Sequence, residues 1–146
     1  MKAIRAVLLA SGLMLAMPGI AAAGEMEDKV SAAYAAWDAA FNAADAKAVA
    51  AFYTENATFL PASHDVIEGP AGVEKFFAGL FANGVTGHKL EIIRASGGDG
   101  MLVAAAKWSA QGKDANGAAA SFGGVATHVF AVQPDGSLKL MLHTFN

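Results

Sequence analysis

The sequence predicts an α+β domain, with helices in its first half and an antiparallel meander in its second. Three observations carry that reading. Apolar residues recur at helical spacing between Val30 and Phe81, long strand-like runs follow His88, and Gly/Asp/Asn clusters separate those runs. A chain of 146 residues fits one domain, and a hydrophobic content of 55% is ample for one core.

The chain starts with a candidate export leader. Lys2 and Arg5 form a basic start, Ala6 to Met17 is apolar, and Pro18-Gly19 breaks the run before Ala21-Ala22-Ala23. Small residues at Ala21 and Ala23 fit a cleavage site before Gly24. The apolar run is too short to cross a bilayer core of about 30 Å as a helix. The expectation is therefore a signal peptide over 1–23, a single domain over 24–146, a periplasmic or secreted location and no stable membrane anchor after cleavage. Cleavage removes Lys2 and Arg5 and takes the net charge from −3 to −5. That acid excess, with no run of Lys or Arg, argues against a nucleic-acid partner. The absence of cysteine excludes disulfides, zinc ribbons, thiol nucleophiles and iron–sulfur clusters.

Within the mature part, Val30, Tyr34, Trp37 and Phe41 mark one face of a first helix. Asp45 is placed to cap a second helix running through Phe52 and Tyr53. Gly69-Pro70 opens a third, with Pro70 where its missing N–H costs nothing. Val73, Phe76, Phe77, Leu80 and Phe81 give that helix its apolar stripe, and Asn83-Gly84 ends it. Short strands are expected at 57–60 and 66–68, then long ones at 88–95, 101–111, about 119–133 and 138–145. The clusters at 96–100, 114–117 and 134–137 supply the hairpin turns between the long strands. Gly123-Gly124, inside a strand run, reads as a bulge that helps the sheet curl.

A turn centred on Asp135-Gly136 puts Ala126, His128, Phe130, Met141, His143 and Phe145 on one face of the last hairpin. Thr127, Val129, Ala131, Leu140, Leu142 and Thr144 take the other. Both faces are largely apolar, so one is expected to meet the helices and the other a second copy of the chain, giving a homodimer through the outer face of the sheet.

The stretch Phe41-Asn42-Ala43-Ala44-Asp45, followed by Phe52-Tyr53-Thr54-Glu55-Asn56-Ala57-Thr58, resembles the opening of the nuclear transport factor 2-like superfamily. The resemblance continues through Leu60-Pro61, Ile67-Glu68-Gly69, Val73, Phe76-Phe77 and Gln133-Pro134-Asp135-Gly136 to Phe145-Asn146. It is nearest to the SnoaL-like and ketosteroid isomerase-like small domains. It implies a cone-shaped, cystatin-like fold: three N-terminal helices packed on a strongly curved, mostly antiparallel sheet, with a blind apolar pocket, commonly as a homodimer. The ketosteroid isomerase branch uses an Asp base with a Tyr and a protonated Asp as oxygen ligands. Here Pro61 stands at the base position, Trp37 at the Tyr position and Thr127 near the second Asp. These departures argue against steroid isomerisation by that route.

His128 and His143 fall opposite one another on neighbouring strands, and two imidazoles there can bind an oxygen or carry a proton. They are the candidate catalytic residues, with backbone-bonded wall histidines as the plain alternative. Trp37, Tyr53, His64, Phe130 and Met141 are the candidate ligand-binding residues. His64 is included because functional groups gather on loops such as the one after Pro61. His88 reads as a solvated residue, and Asp38 as helix surface. Catalytic zinc needs three protein ligands, and only two histidines can be placed together, so no metal is expected. No Gly-rich run is placed to cradle a phosphate, and no cofactor is called for. Three readings stay open: a binder of a small, mostly apolar molecule; an acid–base enzyme of isomerase, dehydratase or hydrolase type in the same pocket; and a non-catalytic dimer whose cavity its own side chains fill.

Overall fold

The computed structural model describes residues 18–146, so most of the expected leader, residues 1–17, lies outside the described residues. The first helix, α1 (Pro18–Asn42), buries Val30, Tyr34, Trp37 and Phe41 on the face their spacing marks. No helix among the described residues is long and apolar enough to cross a membrane. The second helix, α2 (Ala46–Ala50), is capped by Asp45, whose carboxylate accepts the Ala48 N–H at 2.9 Å. It stops short of the expected Tyr53. From there the chain extends into β1 (Tyr53–Leu60), whose Tyr, Thr and Phe residues suit a pleated, half-buried surface. Pairing outweighs helix propensity here: Leu140 donates its N–H to Phe52 O at 2.8 Å, and Tyr53 is in register with Leu140.

After the two-residue β2 (Ile67–Glu68) comes α3 (Gly69–Ala82), with Pro70 in its first turn and Val73 and Phe77 buried. Gly69 has φ +65, and a Cβ there would meet Glu55 O at 3.0 Å, so both conformation and space favour glycine. The long strands follow: β3 (Thr86–Gly97), β4 (Met101–Lys113), β5 (Ala119–Val132) and β6 (Leu138–Phe145). The sheet order is β2-β1-β6-β5-β4-β3, antiparallel throughout except where β1 meets β6. The helices cover the inner face of this curved, mixed sheet, with α1 against β3 and α3 against β1.

Two strand details correct the sequence expectation. Near the last turn Phe130 pairs with Leu140, whereas farther on Val129 pairs with Leu142. The extra residue is Met141, a bulge that sets two residues of β6 against one of β5. Met141 therefore points outward and is 42% exposed, while Leu140, expected outside, is buried in the core. Beyond the bulge His128 pairs with His143 and Ala126 with Phe145. The second correction concerns Gly123-Gly124. The β4–β5 register runs through it unbroken, from Trp108–Gly124 to Ser109–Gly123. Gly124 instead makes room for Asn146, whose carbonyl oxygen occupies the space a Cβ would need.

Candidate functional site

Between the helices and the inner face of the sheet lies a cavity of about 220 Å³. Trp37 and Phe41 of α1 and Phe77 of α3 wall one side, and His88, Trp108, His143 and Phe145 of the sheet wall the other. The aromatic rings meet edge to face: Trp37 and Phe77 at 5.3 Å, Phe41 and Phe81 at 4.9 Å, Trp108 and Phe145 at 5.3 Å. Such contacts stiffen the wall beyond what area burial alone provides. Asn146 fixes Trp108 by accepting its indole N–H at 3.0 Å, and itself pairs with the Val125 backbone through its N–H and side-chain oxygen.

The most organised polar group in this wall is one that sequence reasoning placed in solvent. His88 is the third residue of β3 and follows Gly87, which has φ +62. Its Nδ1 is 2.7 Å from Asp38 Oδ1, and Asp38 Oδ2 accepts the Leu90 N–H at 2.9 Å. One turn along α1, Asn42 clamps the His88 backbone, accepting its N–H at 2.7 Å and donating to its carbonyl at 2.9 Å. Trp108 stacks on the imidazole with an interplanar angle of 7°, and Trp37 meets it edge-on at 4.9 Å. Both partners of the pair are largely shielded, at 10% and 17% side-chain exposure. Asp38 therefore faces inward and is not helix surface.

His143 lines the same cavity, 6.1 Å from the Trp37 ring. Its Nδ1 is 2.7 Å from the Tyr53 hydroxyl, and His128 Nδ1 is 2.8 Å from the Tyr34 hydroxyl. The two imidazoles lie 4.5 Å apart, centroid to centroid. Desolvation disfavours charge on all four rings. It pushes His128 down to about 3, with the positive form of His88 adding repulsion. It likewise holds His143 well below its ordinary value, with repulsion from His128 and then His88. Both tyrosines are raised for the same reason, so they remain hydroxyl donors. The Trp37 indole N–H lies close enough to Tyr53 to oppose its rise, yet it has no partner in hydrogen-bond geometry and stays buried and unpaired.

The residues singled out from sequence thus separate. Trp37 and His143 face the main cavity. Tyr53 stands behind His143 and reaches the cavity only through it. His128 and Phe130 line a second gap with Tyr34 of about 10 Å³, barely room for one water. His64, at φ +66, borders an open depression with Pro61 and Asp65, apart from the main cavity. Met141 is outside for the reason given above, and Thr127 also lies exposed on the outer face. The missed pair, Asp38 and His88, had a faint signal: Asp38 and Asn42 flank the apolar stripe of α1 at i and i+4. Among the described residues no three His, Cys, Asp or Glu side chains gather to hold a metal ion.

Residues 34–141 match the model of the SnoaL-like domain. The chain belongs to the SnoaL-like family. Solved structures agree on the fold. A ketosteroid isomerase-like protein from Erwinia carotovora atroseptica superposes with a TM-score of 0.71 at 18% identity, covering 81% of this chain and 92% of that one. A Mycobacterium tuberculosis protein of unknown function gives 0.74 at 16% identity, covering 89% and 75%. A nuclear transport factor 2-like protein with a cystatin-like fold from Novosphingobium aromaticivorans gives 0.68 at 15%, covering 83% and 80%. At these identities they establish the shared fold of this SnoaL-like chain and not its chemistry. No curated protein matches the chain.

Proposed function

We propose that this SnoaL-like protein binds a small, flat, largely apolar molecule in the cavity between α1, α3 and the sheet. One observation carries the reading: an aromatic-walled cavity of about 220 Å³ whose exposed lining is almost wholly apolar. A cavity of about 150 Å³ accepts benzene, so this one suits a bicyclic ring system. Its volume also argues against the non-catalytic reading in which Phe and Trp side chains fill the space.

Titration with tetralin and with the bicyclic ketone 2-tetralone, followed through Trp37 and Trp108 fluorescence, tests the proposal. Saturable quenching by both is expected. Ala110→Phe, which fills the cavity, should weaken both by about tenfold or more, roughly 1.4 kcal/mol. Failure of either compound to quench up to its solubility limit sinks the reading.

Two further features of the proposal concern where and how the protein works. Lys2, Arg5 and the apolar run to Met17 support export, and an intact mass beginning at Gly24 for periplasmic material checks it. Pairing of two copies is supported by Met101, Val103, Val125 and Met141, which stay 40–50% exposed on the outer face. Leu140 lies in the core and cannot probe that face. Val103→Glu should halve the mass seen by light scattering, and a single-subunit mass for the unmodified protein counts against pairing.

A further inference from the structure

The cavity has one loosely held wall, and that wall meets solvent. Of the side chains lining it, Phe122 on β5 is the exposed one, at 41%, while the rest are buried or half-buried. The other rings of the wall each pack against a second ring, whereas among the described residues Phe122 has no aromatic partner. Its neighbours on the inner face are small. Ala110 is its cross-strand partner, Gly112 lies diagonal to it on β4, and Ala120 precedes it by two on the same face of β5. A Cβ added at Gly112 would stand 2.9 Å from Phe122 Cε2 and 3.6 Å from Val85 Cγ2. The ring therefore rests on bare backbone at Gly112, beside Val85, which also lines the cavity. Such surroundings leave it free to change rotamer, as exposed side chains do within nanoseconds.

We propose that Phe122 is the gate of this cavity: on its Gly112 seat the ring bars the way from solvent, and off that seat it lets a flat apolar ligand pass. The inference rests on the binding reading and adds the route of entry and the residue that controls it. A gate that closes alike over an empty and a filled cavity scales entry and exit by the same open fraction. It sets how fast ligand exchanges and leaves affinity nearly untouched. An ordinary contact residue acts otherwise, because its removal is felt mainly in the dissociation rate. A gated cavity thus retains an apolar molecule longer than an open one of equal affinity. Phe122 stands outside the buried core, so its removal spares the packing that holds the fold.

Stopped-flow mixing with tetralin, read through Trp37 and Trp108 fluorescence, tests the gate. Phe122→Ala should raise the association and dissociation rates together, each by about tenfold, with Kd held within about threefold. Gly112→Ala keeps the ring but occupies its seat, and should raise both rates in the same direction. An association rate equal to the parent's in either variant overturns the gate while the binding reading stands. Faster dissociation without faster association has the same meaning and makes Phe122 a wall contact only. If the parent shows no saturable quenching, the binding reading falls and takes the gate with it. Both rates raised in both variants is the supporting result.

Discussion

His128 on β5 and His88 on β3 have β4 between them, and their settings are opposite. His128 is 1% exposed, has a phenol for its partner and is pushed down to about 3 by desolvation. His88 has a carboxylate for its partner and lines the aromatic-walled cavity. A phenol leaves an imidazole neutral with its hydrogen turned away; a carboxylate can accompany it through a change of charge. The same residue type thus serves as a sealed brace in one place and as a carboxylate-paired ring in the cavity wall in the other. The partner atom decides which.

Acidification offers the largest test of this contrast. His128 has its folded value depressed, so between its ordinary value of 6.5 and about 3 the unfolded chain binds more protons. Stability therefore rises with pH across that window and is lost as pH falls through it. For His128 alone the loss by pH 4 should be about 3 kcal/mol. Urea unfolding at pH 7.5 and pH 4 measures it, and His128→Asn should flatten the slope. An equally steep slope in that variant would place the acid sensitivity elsewhere, His143 being the first candidate.

Next in size is the effect of removing the phenol. Tyr34→Phe keeps the packing against Phe130, at 6.1 Å, but leaves His128 Nδ1 buried without a donor. That should cost about 1–3 kcal/mol in urea unfolding at neutral pH. A cost below about 0.5 kcal/mol would mean a water has replaced the hydroxyl in the small gap beside it.

How far these sites were legible in the sequence follows the same divide. The His128–His143 opposition could be read because strand alternation and a short turn fix a local register. The bulge at Met141 could not be read, since nothing in Leu140-Met141-Leu142 marks which residue will be squeezed out. Core burial of Leu140 against the helices decides it. The Asp38–His88 pair spans 50 positions and forms only because α1 lies across β3. Periodicity reports which face of α1 is apolar, and Asp38 sits beside that face at its polar edge. The crossing of helix on strand, which turns an edge residue into a cavity partner, is a tertiary fact. For the same reason the shortening of α2 escaped detection: β6 claims Tyr53, and local propensity carries no trace of β6.

The smallest expected effect is the most specific. Asp38→Asn removes charge but keeps size, and the pair is partly shielded, so the stability loss should be about 1 kcal/mol or less. The tautomer is where the change should appear. With the carboxylate present, neutral His88 carries its hydrogen on Nδ1, because the acceptor there has no hydrogen to give. Asparagine can turn its NH₂ toward the ring and make Nδ1 an acceptor, sending the hydrogen to Nε2. The backbone favours that turn, because the Leu90 N–H at 2.9 Å still requires an oxygen from residue 38. That leaves only the amide nitrogen for the imidazole. Long-range nitrogen–proton NMR at high pH separates the two forms, with Nδ1–H expected in the parent and Nε2–H in the variant. His143 is the internal reference, since Tyr53 holds its Nε2–H form in both proteins. If His88 shows Nε2–H in the parent as well, the two cavity histidines are alike, and the contrast between phenol-held and carboxylate-held imidazoles does not govern the site.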